Sequence, residues 1–192
     1  MAPRRALFLD RDGVINVDHG YVCAPERTEF IDGIFDLCRI AARNGYLVVV
    51  ITNQAGIARG YYSEREFLAY MNWVRGVFVE HGAHLDAVYY CPHHPSEGIG
   101  EYLRDCACRK PAPGMILTAQ CELELDLARS VFVGDNASDQ QAASAAGVGA
   151  CIILHPLSRT RSGRPAFDPT DVERIISSLA AGAEPRADGR TE

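Results

Sequence analysis

The stretch Leu7-Phe-Leu-Asp10-Arg-Asp12-Gly13-Val-Ile-Asn16 decides how this chain is read. An apolar run, Ala6 to Leu9, is too short for a helix and reads as a buried strand. It ends in two aspartates one residue apart, followed by Gly13, which lets the chain turn where a side chain would clash. Asp10 and Asp12 are therefore expected at the C-terminal end of a strand, where open parallel sheets carry their ligand crevice. Two carboxylates so close repel each other unless a cation neutralises them or one holds a proton. A hard, oxygen-seeking ion such as Mg2+ suits the task. A solvated Asp-x-Asp turn is the plain alternative. A calcium loop fails, because an EF-hand counted from Asp10 needs Gly and Glu where this chain has Ile15 and Tyr21.

The chain has 192 residues, 47% apolar and 23% charged, which suits one domain with a sizeable core. A net charge of −6 argues against a nucleic-acid surface. No run approaches the roughly 18 apolar residues of a membrane span. Met-Ala-Pro-Arg-Arg leads straight into the first strand without an apolar leader, so a cytoplasmic protein is expected, and a monomer. Seven cysteines in such a setting do not suggest a disulfide framework. Of 19 basic residues only Lys110 is a lysine. In a chain that otherwise uses Arg, a single Lys marks a place for a compact, pointed ammonium, against the alternative of biased codon usage.

Residues 14–31 read as a loop-like insert flanking the carboxylates. Residues 32–44 read as a helix, with Asp32 as its cap and Gly45 as its end. Residues 46–51 form a Val-rich strand buried on both faces. That strand runs into Thr52-Asn53-Gln54, whose hydroxyl and amides could donate to phosphate oxygens, although Thr-Asn after a strand is commonly turn chemistry. Ser63-Glu-Arg-Glu66 is a capping box, and Phe67, Met71, Val74 and Phe78 form a core stripe behind it. Residues 87–90 are a third strand. A short Pro-flanked helix from Gly114 to about Glu122 follows Lys110. Residues 130–133 form a fourth strand running into Gly134-Asp135-Asn136, with a second acid at Asp139. A helix over 140–146 and a strand over 149–154 follow. Residues 170–179 fit either a helix or an edge strand, and the chain from 180 onward reads as disordered.

Between the third strand and Lys110 lies a polar, Gly-containing loop, 91–110. Cys91-x-His93 and Cys106-x-Cys108 bracket it. Three thiolates and an imidazole make a closed tetrahedral zinc site of the structural kind, with His94 as a rival ligand and uncoordinated buried cysteines as the plain alternative. A loop without its own apolar core would be ordered by the metal.

Strand-Asp-x-Asp-Gly, strand-Thr-Asn, Lys before a Pro-flanked helix, and strand-Gly-Asp-x-x-x-Asp occur in that order. The pattern resembles the four-motif signature of the haloacid-dehalogenase-like (HAD) phosphatase superfamily over residues 6–154. Four stretches look like the D-glycero-D-manno-heptose-1,7-bisphosphate 7-phosphatases: Phe8 to Tyr21, Thr52 to Gly60, Tyr90 to Pro95 and Cys106 to Met115. Histidinol-phosphate phosphatases are a similar sister family.

The resemblance implies an α/β fold: a Rossmann-like three-layer sandwich with a mostly parallel sheet, no large cap domain and a zinc-binding loop insert. Length and composition make the expected organisation one domain over 1–180 with a disordered tail over 181–192. The resemblance also implies a Mg2+-dependent hydrolase acting on a small sugar phosphate, with Asp10 as nucleophile and Asp12 as general acid and base. Mg2+ would be held by Asp10, Asp135 and the Asp12 carbonyl. Zn2+ would be held by Cys91, His93, Cys106 and Cys108, so by His93 and not His94. Thr52, Asn53 and Lys110 would hold phosphate oxygens, and Gln54 belongs to the same segment. Asp18, His19, Gly20, Tyr21, Arg109 and Lys110 would contact substrate. Asn136 departs from the resemblance, standing where such proteins carry Lys; its amide can bond sugar hydroxyls but carries no charge. A non-catalytic zinc-stabilised binding module on the same fold and a phosphoryl-accepting signalling domain are the readings from other classes.

Overall fold

The computed structural model describes residues 3–183. Its centre is a five-stranded sheet in the order β3-β2-β1-β4-β5, all parallel. The strands are β1 (Arg5–Leu9), β2 (Tyr46–Asn53), β3 (Ala87–Cys91), β4 (Val131–Gly134) and β5 (Ala150–Ile153). Both faces of such a sheet must be covered, so its strands are apolar throughout and alternate residues serve opposite layers. Leu7, Leu9, Val48, Val50, Val131 and Val133 pack into one core. Their neighbours Phe8, Val49, Ile51 and Phe132 pack into the other. The first layer is closed by α1 (Ile34–Arg43), α3 (Glu64–Glu80) and α6 (Pro169–Ala183), the second by α4 (Gly114–Leu123) and α5 (Ala137–Ala146). A four-residue helix, α2 (Ala55–Ala58), follows β2 directly.

The path through the sheet places the site. From β1 the chain moves outward through β2 to β3, then returns across β1 to β4 and β5. The strand order therefore reverses between β1 and β4, and a crevice opens beyond their C-terminal ends. Asp10 and Asp12 leave β1 there and Asp135 leaves β4. Thr52 and Asn53 end β2 beside them.

The expected insert over 14–31 is an ordered flap. Val17 N donates to Glu29 O and Ile31 N to Ile15 O, while Val14, Ile15, Val22 and Ile31 are buried beneath it. Among the described residues no cap domain interrupts the alternation of strands and helices. A short hairpin, β6 (Ser158–Arg159) with β7 (Pro165–Ala166), precedes α6.

Three details differ from the sequence reading. Asp32 does not cap α1. Gly33 holds the N-cap position in the left-handed region at φ 95°, and Asp32 instead pairs with Arg164 at 2.9 Å. Helix α5 starts at Ala137, a turn earlier than expected, because Asp139 accepts from the backbone N of Asp135 and Asn136 and so closes the first turn. Residues 170–179 are helix, and α6 runs on to Ala183; the rest of the expected tail, 184–192, lies outside the described residues. No helix among the described residues is long and apolar enough to cross a membrane.

Phe132 stacks on Phe8 with ring centroids 6.1 Å apart in the α4–α5 layer, and both rings are fully buried. Phe132→Ala should leave a cavity costing about 3–5 kcal/mol. Chemical denaturation at equilibrium measures it, and a loss below about 1 kcal/mol would show a layer able to collapse around the gap.

Candidate active site

The first turn after β1 is held tightly. The amides of Val14, Ile15 and Asn16 converge on Arg11 O, and Gly13 N bonds Asn16 O at 2.7 Å. Gly13 sits at φ +84°, and a Cβ there would lie 2.0 Å from Asp135 Oδ2. The residue that gives the turn its shape thus also makes room for the carboxylate arriving from β4.

Asp10, Asp135 and Asp139 bring carboxylate oxygens within 4.8 Å of one another. Lys110 enters from the far side, with Nζ 2.8 Å from Asp10 Oδ1 and 2.6 Å from Asp139 Oδ1. Nζ also donates to Ile51 O at 2.9 Å, so the ammonium is held by three groups. Burial works against the Lys110 charge, but Asp10 and Asp139 outweigh it and hold its pKa above the ordinary value. Asp135 is pushed up to about 7 by desolvation and by Asp10 and Asp139. Its side chain stands open to the cleft, so the neighbouring charges are the firmer cause. Three hard oxygen donors against one ammonium leave net negative charge, and this donor set fits a divalent cation such as Mg2+.

Asp12 stands in the turn after β1, bridged to Asn16. Asn16 Nδ2 donates to its Oδ1 at 3.0 Å, and Arg11 Nη2 lies 2.7 Å from its Oδ2. Burial pushes the Asp12 pKa up, Arg11 and Asn16 oppose it, and the net direction is upward. A carboxyl so placed can hold a proton at higher pH than a solvated one.

A cleft of about 370 Å³ is lined by Asp10, Asp12, Thr52, Asn53, Lys110 and Asp135, within the size range of small-molecule sites. Asp18, Gly20, Tyr21, Gln54 and Asn136 also face it. Thr52 Oγ1 accepts from Gln54 Nε2 at 2.8 Å, which leaves its own hydroxyl proton for a ligand. The Asn53 side chain is engaged at both ends by the Lys110 backbone, fixing where the lysine starts. Two expected contacts lie elsewhere. His19 pairs with Glu29 at 3.0 Å on the exposed flap, and Arg109 turns its Nη1 to His93 O at 3.2 Å; neither lines the cleft.

The loop after β3 gathers Cys91, His93, Cys106 and Cys108. Their sulfurs and His93 Nδ1 lie 3.1–3.8 Å apart, close to the edges of a tetrahedron built on Zn–S bonds of about 2.3 Å. Burial and Arg104 keep the His93 pKa below its ordinary value, favouring the neutral imidazole that metals take. The rival His94 directs Nδ1 to the amides of Ser96 and Glu97. The loop is tied to α3 where Tyr90 and Tyr102 both donate to Glu64.

Two residues of this constellation had no role in the sequence reading. Asp139 lies in the first turn of α5, and its Oδ2 accepts from the backbone N of Asp135, which holds the two acids together. Arg11 sits between the two aspartates, and beside Asp12 its partners include Gln54, Phe67 and Tyr70 from segments far away in sequence.

The HAD-hydrolase-like family model matches residues 107–180. The chain is 56% identical to the D-glycero-alpha-D-manno-heptose-1,7-bisphosphate 7-phosphatase of Burkholderia mallei over 183 residues, 95% of this chain and 97% of the relative. It is 51% identical to the D-glycero-beta-D-manno-heptose-1,7-bisphosphate 7-phosphatase of Vibrio cholerae over 160 residues, 83% of each. The crystal structure of D,D-heptose 1,7-bisphosphate phosphatase from B. bronchiseptica, complexed with magnesium and phosphate, superposes with a TM-score of 0.73 at 29% identity, covering 92% of this chain and 98% of the other. With relatives this close over nearly its full length, the chain belongs to the HAD-like family of D-glycero-D-manno-heptose-1,7-bisphosphate 7-phosphatases.

Proposed function

We propose that this chain hydrolyses the 7-phosphate of D-glycero-D-manno-heptose 1,7-bisphosphate, leaving heptose 1-phosphate, through an aspartyl-phosphate on Asp10. The observation that carries this is one cleft in which Asp10, Asp12, Lys110 and Asp135 converge at the strand-order reversal. An Asp10 carboxylate oxygen forms a bond to phosphorus as the bond to the C7 oxygen breaks. Asp12 gives its proton to that departing alkoxide. In the second half, Asp12 takes a proton from water as the water oxygen bonds phosphorus, and the acyl-phosphate bond to Asp10 breaks. Lys110 holds Asp10 in place and, with the Thr52 hydroxyl, opposes the charge of the phosphoryl oxygens. Asp10, Asp135 and the Asp12 carbonyl would hold Mg2+, which supplies screening of nucleophile from phosphate and polarises the phosphoryl group.

A primary phosphate can approach Asp10 in line because, among the described residues, no cap domain closes the cleft. Gly20, Tyr21 and Asn136 flank the space left for the sugar. The zinc cluster orders the segment that carries Lys110. The setting proposed with this activity is the cytoplasm, the chain acting as a monomer.

The specificity is tested by kcat/KM for heptose 1,7-bisphosphate, as each anomer, against histidinol phosphate. Preference for the bisphosphate with release from C7 is expected; preference for histidinol phosphate would overturn the substrate and leave the phosphatase standing. Asp10→Asn should abolish turnover while remaining folded. Asp12→Asn should lose roughly 10²–10⁴-fold in kcat on the sugar phosphate, the usual worth of a positioned acid. Steady-state assay with circular dichroism checks both.

Elemental analysis of protein purified without added metal should find one zinc per chain. Cys106→Ser should lower the thermal midpoint and the activity together, because Lys110 follows the loop directly. Zinc-free protein with full activity would refute this.

The raised Asp135 pKa gives a pH-dependent signature. A carboxyl whose folded pKa exceeds its unfolded one contributes stability below the ordinary carboxylate range and loses it as pH rises through the folded value, here about 7. Metal-free protein should therefore lose stability between about pH 4 and about pH 7, and added Mg2+ should raise the thermal midpoint more at about pH 8 than at about pH 5. Thermal melts with and without Mg2+ measure it; an equal effect at both would contradict the shared carboxylate site.

A further inference from the structure

Arg11 is a large, fully buried side chain carrying a permanent charge. Burying such a group costs several kcal/mol unless its partners are well placed, and a core position alone would be served by an apolar residue. Its partners here are specific. Nη2 lies 2.7 Å from Asp12 Oδ2 and donates to Gln54 Oε1 at 3.1 Å. Nη1 donates to Val22 O at 2.6 Å, the base of the flap. The guanidinium lies 5.4 Å from the ring centroid of Tyr70 and 5.9 Å from that of Phe67, both on α3. Gln54 in turn donates to Thr52 and accepts from Tyr62 OH at 2.7 Å.

Resting on the phosphatase reading above, we propose that Arg11 is a positioning residue for proton transfer to the leaving group. Its Nη2 pairs with the Asp12 carboxylate and ties it, through Gln54, to the hydroxyl of Thr52, while Nη1 is held by Val22 O. The chain Asp12–Arg11–Gln54–Thr52 sets the distance between the proton donor and the phosphoryl oxygens as one rigid unit. Asn16 supplies the second point of attachment on Asp12, so the carboxylate cannot rotate away from the cleft while both remain. Lysine carries the charge but not the fork, and cannot reach Asp12, Gln54 and Val22 O together.

The consequence is selective. An alkoxide leaving from a sugar needs the Asp12 proton, whereas p-nitrophenolate departs without one. Arg11→Met and Arg11→Lys are compared with wild type on heptose 1,7-bisphosphate and on p-nitrophenyl phosphate, with thermal midpoints recorded alongside. The proposal expects kcat on the sugar phosphate to fall by about 30-fold or more, a large part of what a positioned acid supplies, with the aryl phosphate losing far less. KM for the sugar phosphate should change little, and the ratio should shift for Arg11→Lys as well. Equal losses on both substrates would assign Arg11 to the core alone and overturn the proposal. So would no loss, or failure of both variants to fold. Absence of activity in the wild type on either substrate would instead strike the phosphatase reading, which keeps the two failures distinguishable.

Discussion

Lys110 between Asp10 and Asp139 is the contact on which the site depends. Two carboxylates at the ends of adjacent strands and a third in the first turn of α5 would repel one another, and the fold counters them with one ammonium, 2.8 Å from Asp10 and 2.6 Å from Asp139. Because Lys110 is only 4% exposed, water screens this arrangement little and its geometry is fixed. The backbone of the lysine is clamped by Asn53, and its segment is anchored on one side by the cysteine–histidine cluster. The loop far from the phosphorus thus bears on where the positive charge stands.

The two halves of the site serve opposite needs. On the β4 side, charge accumulates: the carboxylates of Asp10, Asp135 and Asp139 crowd together within 4.8 Å. On the flap side, Asp12 is partly withdrawn from water, and its charge is met by one buried guanidinium and one amide. A carboxylate that attacks must be kept ionised, whereas one that donates a proton must be able to hold it. Only Arg11 separates the two aspartates in sequence, and the tight turn closed on its carbonyl brings Asp12 against Asn16.

The parts legible in the sequence were those marked by local chemistry. Strand ends followed by Asp-x-Asp-Gly, Thr-Asn and Gly-Asp announced themselves through short apolar runs, and the lone lysine stood out by composition. Positions set by distant segments could not be read in this way. Arg11 is enclosed by aromatic residues of α3 more than fifty positions away, and nothing in its neighbourhood signals burial. Asp139 was visible as a second acid, but its bond to Lys110 needs the sheet to bring β4 beside β1. The choice between His93 and His94 rested on a one-residue difference that spacing alone left open, and the turn after β3 settles which ring meets the sulfurs. Asp32 looked like a helix cap, yet β7 packs beside it and offers Arg164 instead.

The central claim is that phosphorus becomes bonded to Asp10. Borohydride added to protein turning over a phosphomonoester in the presence of Mg2+ reduces an acyl phosphate to an alcohol, converting the labelled aspartate to homoserine. Peptide mass spectrometry then locates it. The account predicts homoserine at position 10 in wild type and none in Asp10→Asn. Labelling at Asp12 or Asp135, or its absence from a protein that is demonstrably turning over, would contradict it.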